Sequence, residues 1–322
     1  MTYRETYLEG VRSLDEAGIA ENEITARLLL EYVCNTDANT LYAHPDREVT
    51  KKEQEDYNAC INKRREHIPL QHILGYQEFM GLKFTVSRDT LIPRQDTEFL
   101  VEEALTYIED GMSVLDMCTG SGCILLSVMN YKNDIDGVGC DISKEALNTA
   151  RVNAKKLNLD AQFYAGDLFD ALPGTKEETL PDDKEEALPD DKEEALPETK
   201  DKKLFDVIIS NPPYIPTGVI NTLSEEVRDY DPHMALDGGD DGLYYYRRIA
   251  AEAKNHLKPY GRLYLEIGHD QNESVPKILK DEGYDDITVL KDYGGNWRVA
   301  YCRCNANSAP NTPGGVFERS AL

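Results

Sequence analysis

From residue 112 onward, short apolar segments rich in Val, Ile and Leu alternate with stretches of helical spacing, and this rhythm leaves the chain few architectures. "MSVLDMC" precedes "GCILLSVMN", and "GVGCDIS" precedes "KEALNTARVNAKKL". "AQFYAGD", "LFDVIIS" and "GRLYLEIG" follow, the last ahead of a helical stretch around 273–282, and then "ITVLKDY" and "WRVAYCR". Apolar runs without polar alternation read as strands buried on both faces, and helices between them cover those faces. The expected class is therefore α/β, a doubly wound and mostly parallel seven-stranded sheet. Its last two strands, joined through "GGN", read as an antiparallel hairpin.

The N-terminal part has a different period. Residues 1–75 place Leu8, Val11 and Leu14, then Ile24, Leu28 and Leu29, then Tyr57 and Ile61 at helical spacing, which predicts a small helical domain. "EFMGLKFTVS" alternates around a glycine and reads as a hairpin linker within 76–92. The sheet domain then runs over 93–304, opening with "LIPRQDTEFLVEEAL", where Asp96 or Thr97 is the expected helix cap and Glu98 lies in the first turn. Residues 172–203 break the rhythm with four octads built on "LPDDKEEA", carrying 12 acidic residues and 6 lysines. A proline every eight residues and one leucine per octad build neither a helix nor a core, so this insert is expected to be disordered. A flexible tail is expected over 305–322.

Charge and cysteine usage narrow the function. A formal net charge of −25 opposes a phosphate backbone, so no stable nucleic-acid partner is expected. The seven cysteines are scattered without a C-x-x-C pair, which predicts reduced thiols and no metal site. The charged, helical "MTYRETYLEG" and the lack of an apolar run near 20 residues predict a cytoplasmic protein rather than a membrane one.

Two stretches carry chemistry. In "VLDMCTGSGC" a buried strand runs into a turn with Gly120 and Gly122 and then a helix, the arrangement of a nucleotide or adenosyl site. A third glycine at dinucleotide spacing is missing, since position 125 is Leu, which disfavours a nicotinamide or flavin. Asp141 ends the next strand, where a carboxylate can accept both hydroxyls of a ribose, or else caps the helix beginning "SKEAL". The second stretch is "FDVIISNPPYIP", a buried strand that ends in Asn211, two prolines and Tyr214. Two prolines fix φ and remove two donors, so the chain leaves the sheet rigidly after Asn211.

Taken together, "PLQHILGYQEFMGLKFTV", "LIPRQDTE", "VLDMCTGSG", "GCDIS", "GDLF", "IISNPPYI", "ALDGGDDGL" and "DYGGNWRV" resemble the release factor glutamine methyltransferases, the HemK/PrmC group, over residues 3–302. The resemblance implies a Rossmann-like methyltransferase domain that uses S-adenosylmethionine, behind a helical domain that recognises the substrate. The substrate it implies is the glutamine of the Gly-Gly-Gln loop of class 1 peptide-chain release factors, methylated on its side-chain amide nitrogen, N5. A monomer modulating translation termination is expected.

Position by position, the resemblance puts Cys118, Thr119, Gly120, Ser121 and Gly122 along the cofactor, Asp141 on its ribose, and Asp167 and Leu168 near its adenine. Asn211, Pro212, Pro213 and Tyr214 would bind the substrate glutamine, with Asn211, Pro212 and Tyr214 in the catalytic role and Asn211 also against the cofactor. Cys118 stands where the family commonly has Gly, and Gln95 where it commonly has Pro. An amide nitrogen is a weak nucleophile whose proton no base at neutral pH removes outright, so the site must act by positioning. The side-chain carbonyl of Asn211 and the main-chain carbonyl of Pro212 are the acceptors expected to hold the two N–H groups, and Tyr214 the flat wall beside them. Two other readings share these motifs: methylation of an exocyclic amino group of nucleic acid, such as adenine N6, and an inactive methyltransferase-like module that only binds partners.

Overall fold

The computed structural model describes residues 1–173 and 203–305. The octads from 174 to 202 and the tail from 306 onward lie outside the described residues. The N-terminal part is helical: α1 (Tyr3–Glu16), α2 (Asn22–Cys34), α3 (Ala38–Ala43), α4 (Lys51–Arg65) and α5 (Leu70–Leu74). α1 and α4 both open with a reciprocal cap, Thr2 with Glu5 and Thr50 with Glu53, which satisfies two free N–H groups at each start. Leu14, Leu29, Leu30, Tyr57 and Ile61 form the core of this part. Leu8 and Ile24, expected to face inward, are instead exposed. Small and polar residues explain the rotation: α1 buries Thr6 and Gly10, and Gly10 lies directly against the Tyr57 ring, a place that any side chain at position 10 would fill.

β1 (Tyr76–Phe79) and β2 (Leu82–Thr85) form the expected antiparallel hairpin. It is followed by α6 (Gln95–Leu105), β3 (Ser113–Met117), α7 (Cys123–Tyr131), β4 (Asp136–Asp141), α8 (Lys144–Leu157), β5 (Gln162–Ala165) and a 3-10 turn over Leu168–Ala171. β6 (Phe205–Ser210), a 3-10 turn over Thr217–Thr222, α9 (Glu225–Tyr230), α10 (His233–Leu236) and α11 (Tyr244–Ala253) lead to β7 (Leu257–Glu266). α12 (Ser274–Asp281), β8 (Asp285–Lys291) and β9 (Trp297–Arg303) complete the described chain. α6 begins two to three residues earlier than expected, with Arg94 at its cap position, and neither Asp96 nor Thr97 caps it. Both are engaged elsewhere: Asp96 pairs with Arg298 at 3.0 Å, and the Thr97 hydroxyl accepts from Asn211.

The seven strands run in the order β5-β4-β3-β6-β7-β9-β8, parallel through β7 and antiparallel at β9 and β8. Strand order reverses between β3 and β6, and at such a switch point the loops leave on opposite sides and open a crevice at the strand ends. The register pairs Met117 with Ser210, so the glycine turn and the Asn-Pro-Pro-Tyr stretch emerge side by side. Alternate residues feed two cores. Leu115, Ile208, Leu263 and Tyr246 pack on one face, while Val114, Val207, Ile209 and Leu100 pack on the other. Full burial of side chains this size contributes roughly 1.5–3 kcal/mol each, so the sheet holds the two loops firmly.

The hairpin is fastened to the sheet domain at both ends. Phe79 and Phe84 are buried in an edge-to-face pair, and Glu98 accepts from the Met80 N–H at 2.6 Å. Asn153 of α8 pairs with the N–H and C=O of Thr85 and also donates to the Ser121 carbonyl at 2.9 Å, so one amide ties hairpin, helix and glycine turn together. The helical part and the start of α6 are tied to residues 216–237, a segment whose sequence has no clear period. Glu226 pairs with Arg64 at 2.5 Å, Tyr230 donates its hydroxyl to the Glu66 carbonyl, and Asp231 pairs with Arg94 at 2.5 Å.

Candidate functional site

A cavity opens over the ends of β3, β4 and β6. Its floor is the glycine turn, in which Cys118, Gly120 and Gly122 all have left-handed φ, near +62°, +54° and +79°. Nothing lies within 4 Å of where a Cβ at Gly120 would stand, so that face of the backbone is open to a ligand. Gly122 has a packing role: a Cβ there would come within 3.1 Å of Leu126 and 3.2 Å of Ala150, where α7 crosses α8. Beneath the turn, buried Asp116 accepts from the Thr119 hydroxyl at 2.6 Å and the Leu125 N–H at 3.3 Å. Burial pushes its carboxyl up to about 7, and these two bonds pull the other way.

Asp141 holds the turn from the neighbouring strand. One carboxylate oxygen accepts from the Gly120 N–H and the other from the Ser143 N–H, each at 2.9 Å. The cap of α8 is Ser143, whose hydroxyl accepts from Ala146, so Asp141 is free of that duty and lines the cavity. Burial raises its pKa, and the backbone donors oppose the rise. Asp167 and Leu168 also line the cavity; Asp167 pairs with Arg248 at 2.9 Å, and Leu168 is buried with φ near +51°. These features fit an adenosyl ligand: an open glycine backbone, a carboxylate with lone pairs to spare for a diol, and an apolar wall with an acceptor at its rim.

The second half of the site follows β6. Asn211 and Pro213 line the cavity beside Cys118, and Arg94 and Thr97 line it from the start of α6. Pro212 is buried, and Gly122, Pro212 and Tyr214 stand outside the cavity wall. The phenol of Tyr214 points away from the cavity to Glu266 Oε1, at 3.4 Å. Asn211 donates its side-chain Nδ2 to Thr97 Oγ1 at 3.2 Å. Glu266 ends β7 with its side chain fully enclosed; burial pushes it up to about 7, while Thr97, Arg298 and Tyr214 favour its charged form. Arg298 is held in turn by Asp292 and Asp96, each at 3.0 Å. Thr97, Glu266, Arg298, Asp116 and Asn153 are the site residues that the sequence did not single out for these roles. An acid inside or ending an otherwise apolar strand, as in "VLDMC" and "LYLEIG", is the signal that marks two of them.

Cys118 occupies a left-handed position at which L-residues pay about 1–2 kcal/mol and glycine does not. Cys118→Gly is expected to keep cofactor affinity within about threefold, because it removes strain and narrows nothing. Cys118→Val is expected to lower stability by roughly 1–2 kcal/mol, since a branched Cβ fits this φ worst. Calorimetric titration and a thermal melt of the two variants measure both effects, and equal behaviour of Gly and Val would contradict the strain argument.

Residues 5–75 match the PrmC N-terminal domain family, and residues 108–285 match a methyltransferase domain family. A release factor glutamine methyltransferase from Agrobacterium fabrum is 38% identical over 296 residues, spanning 89% of this chain and 92% of the relative. A protein of the same name from Clostridium acetobutylicum is 37% identical over 278 residues, spanning 85% and 88%. Among solved structures, the release factor-specific protein-(glutamine-N5) methyltransferase of Alicyclobacillus acidocaldarius is similar over 69% of this chain and 99% of its own, with a TM-score of 0.37 and 24% identity.

Proposed function

Because the chain belongs to the release factor glutamine methyltransferase family, we propose that its cavity brings S-adenosylmethionine and the glutamine of a class 1 release factor's Gly-Gly-Gln loop together for methylation of the amide nitrogen N5. The observation that carries this reading is the adjacency of the two strand ends. The Met117–Ser210 pairing puts the open glycine turn, with Asp141 against it, beside Asn211. Asp141 would hold the ribose hydroxyls, Gly120 would admit the ligand against its backbone, and Asp167 and Leu168 would border the adenine.

Held by Asp141 and the glycine turn, S-adenosylmethionine would supply an electrophilic methyl group, its sulfur keeping the electron pair of the broken C–S bond, and the newly methylated amide nitrogen would lose one proton to water. The chain's own contribution is placement. An amide lone pair is delocalised into its carbonyl, so reactivity depends on holding the nitrogen in line with the methyl carbon. Asn211 turns its nitrogen toward Thr97, which leaves its carbonyl oxygen to accept one substrate N–H, and the main-chain carbonyl of Pro212, the next residue, would accept the other. Both acceptors stabilise the positive charge that grows on nitrogen during transfer. The net charge of −25 suits a basic protein partner better than a nucleic acid. Among the described residues no helix is long and apolar enough to cross a membrane.

The test is peptide mass analysis of a class 1 release factor incubated with the protein and S-adenosylmethionine, with a single-stranded oligonucleotide in a parallel reaction. One added methyl on the Gly-Gly-Gln glutamine is the expected result. A methylated oligonucleotide beside an unmodified release factor would replace this reading with exocyclic amino methylation.

A further inference from the structure

We infer that Thr97 is a positioning residue for this reaction: it fixes the polarity of the Asn211 amide, holding the nitrogen back and the carbonyl oxygen toward the substrate. The inference rests on the glutamine-methylation reading above. The two ends of a side-chain amide have nearly the same shape but opposite hydrogen-bonding character, so packing alone does not choose between an orientation and its flip. Presented the wrong way, Asn211 would aim N–H groups at the N–H groups of the substrate. Some neighbour must choose.

Thr97 is the neighbour in contact. Its Oγ1 lies 3.2 Å from Asn211 Nδ2, and the residue is 3% exposed. A threonine hydroxyl both donates and accepts, so it selects an orientation only when its single proton is committed elsewhere. Glu266, 2% exposed, is the buried carboxylate near that hydroxyl, and Thr97 in turn favours its charged form. An ionised carboxylate is acceptor-only, one of its oxygens takes the Tyr214 hydroxyl, and the other finds no partner within hydrogen-bond distance among the described residues. An ionised carboxylate there favours the hydroxyl rotamer that turns the Thr97 proton toward it and leaves an Oγ1 lone pair for Asn211.

Every element around Glu266 bears on its charge. Arg298 of β9 favours the carboxylate and is itself pinned by Asp292 and Asp96, while Asp96 of α6 opposes it. Tyr246 of α11 donates to the Glu266 backbone carbonyl at 2.8 Å, and Cys123 of α7 lies within electrostatic range. Enclosure raises the carboxyl to about 7. Protonated, Glu266 becomes a donor toward Thr97, the hydroxyl proton is released toward Asn211, and the favoured amide orientation inverts. Turnover is therefore complete above that pKa and falls as pH drops through it.

The experiment measures kcat and KM for release-factor methylation from pH 6 to 9 in wild type, Thr97→Val, Thr97→Ser and Glu266→Gln, with cofactor affinity by calorimetry and thermal midpoints alongside. Thr97→Val is expected to lower kcat by about 10- to 100-fold with KM and cofactor affinity within about threefold, and Thr97→Ser to restore kcat to within about threefold of wild type. The wild-type profile should fall on the acid side of about pH 7, and Glu266→Gln should lack that limb. Wild-type kcat in Thr97→Val, or Thr97→Ser as impaired as Thr97→Val, overturns the inference. A flat wild-type profile does so as well, even where a variant fails to fold. A wild-type protein that leaves the release factor unmodified overturns the substrate reading and this inference with it.

Discussion

Asn211→Ala is expected to lower the methylation rate by about 10²–10³-fold while cofactor affinity stays within a few-fold, the loss seen when one preorganised group aimed at developing charge is removed. The nucleophile sets the size of the loss. With no base able to take an amide proton at neutral pH, the barrier is lowered by orientation and by acceptors for a nitrogen becoming positive, and Asn211 is proposed as one of two such acceptors. The other proposed acceptor, the Pro212 carbonyl, belongs to the main chain, which truncation cannot remove, so activity should survive at a low level. The cofactor contacts assigned to Asp141 and the glycine turn do not pass through Asn211, because Asp141 is anchored to Gly120 and Ser143. Binding and turnover should therefore separate in one variant. Asn211→Asp makes a second check: it keeps an acceptor but deletes the donor to Thr97, so rescue should be partial at best. Single-turnover methylation with calorimetric titration of the cofactor decides the matter. A turnover rate within threefold of wild type in Asn211→Ala would remove the residue from the mechanism.

The sheet was legible because parallel strands buried on both faces must be apolar throughout, and "LFDVIIS" and "SVLDMC" show this plainly. The hairpin at 76–85 and the two glycines of the turn were legible for similar local reasons. What escaped was long-range or was carried by residues that look ordinary. Thr97 and Asn211 are 114 positions apart, and a threonine near a helix start resembles a cap until its partner is seen. Residues 216–237 have short helices and few buried apolar side chains, so periodicity says little about them, yet their ion pairs reach both Arg64 and Arg94. In α1 the buried face runs through Thr6 and Gly10, residues that an apolar pattern ignores. Tyr214, read as a flat wall beside the substrate amide, stands outside the cavity wall, and its phenol turns toward the acceptor that buried Glu266 offers.

Asp141 carries the other large expected effect, since one side chain shapes the glycine turn and faces the cavity that the turn lines. Asp141→Ala is expected to weaken S-adenosylmethionine binding by about 10²–10³-fold: two acceptors for a ribose diol disappear, each charge-assisted bond being worth roughly 1.5–3 kcal/mol, and the Gly120 N–H loses its partner. Asp141→Asn tests the geometry more sharply. Its carbonyl oxygen can serve Gly120 or Ser143 but not both, so one N–H must meet an NH2 group, and the near-isosteric variant should bind almost as poorly as Ala. The pH dependence has a definite sign. Burial raises the Asp141 pKa above the ordinary carboxylate range, and the diol is bound by the ionised form, so affinity is full above the raised value and declines as pH falls through it. Cofactor titrations from pH 4.5 to 8, with folding followed by circular dichroism at each point, measure this directly. Affinity that stays constant down to the lowest pH at which the protein is folded, or wild-type affinity in Asp141→Asn, would transfer the ribose contact to another group and leave Asp141 as a brace for the turn.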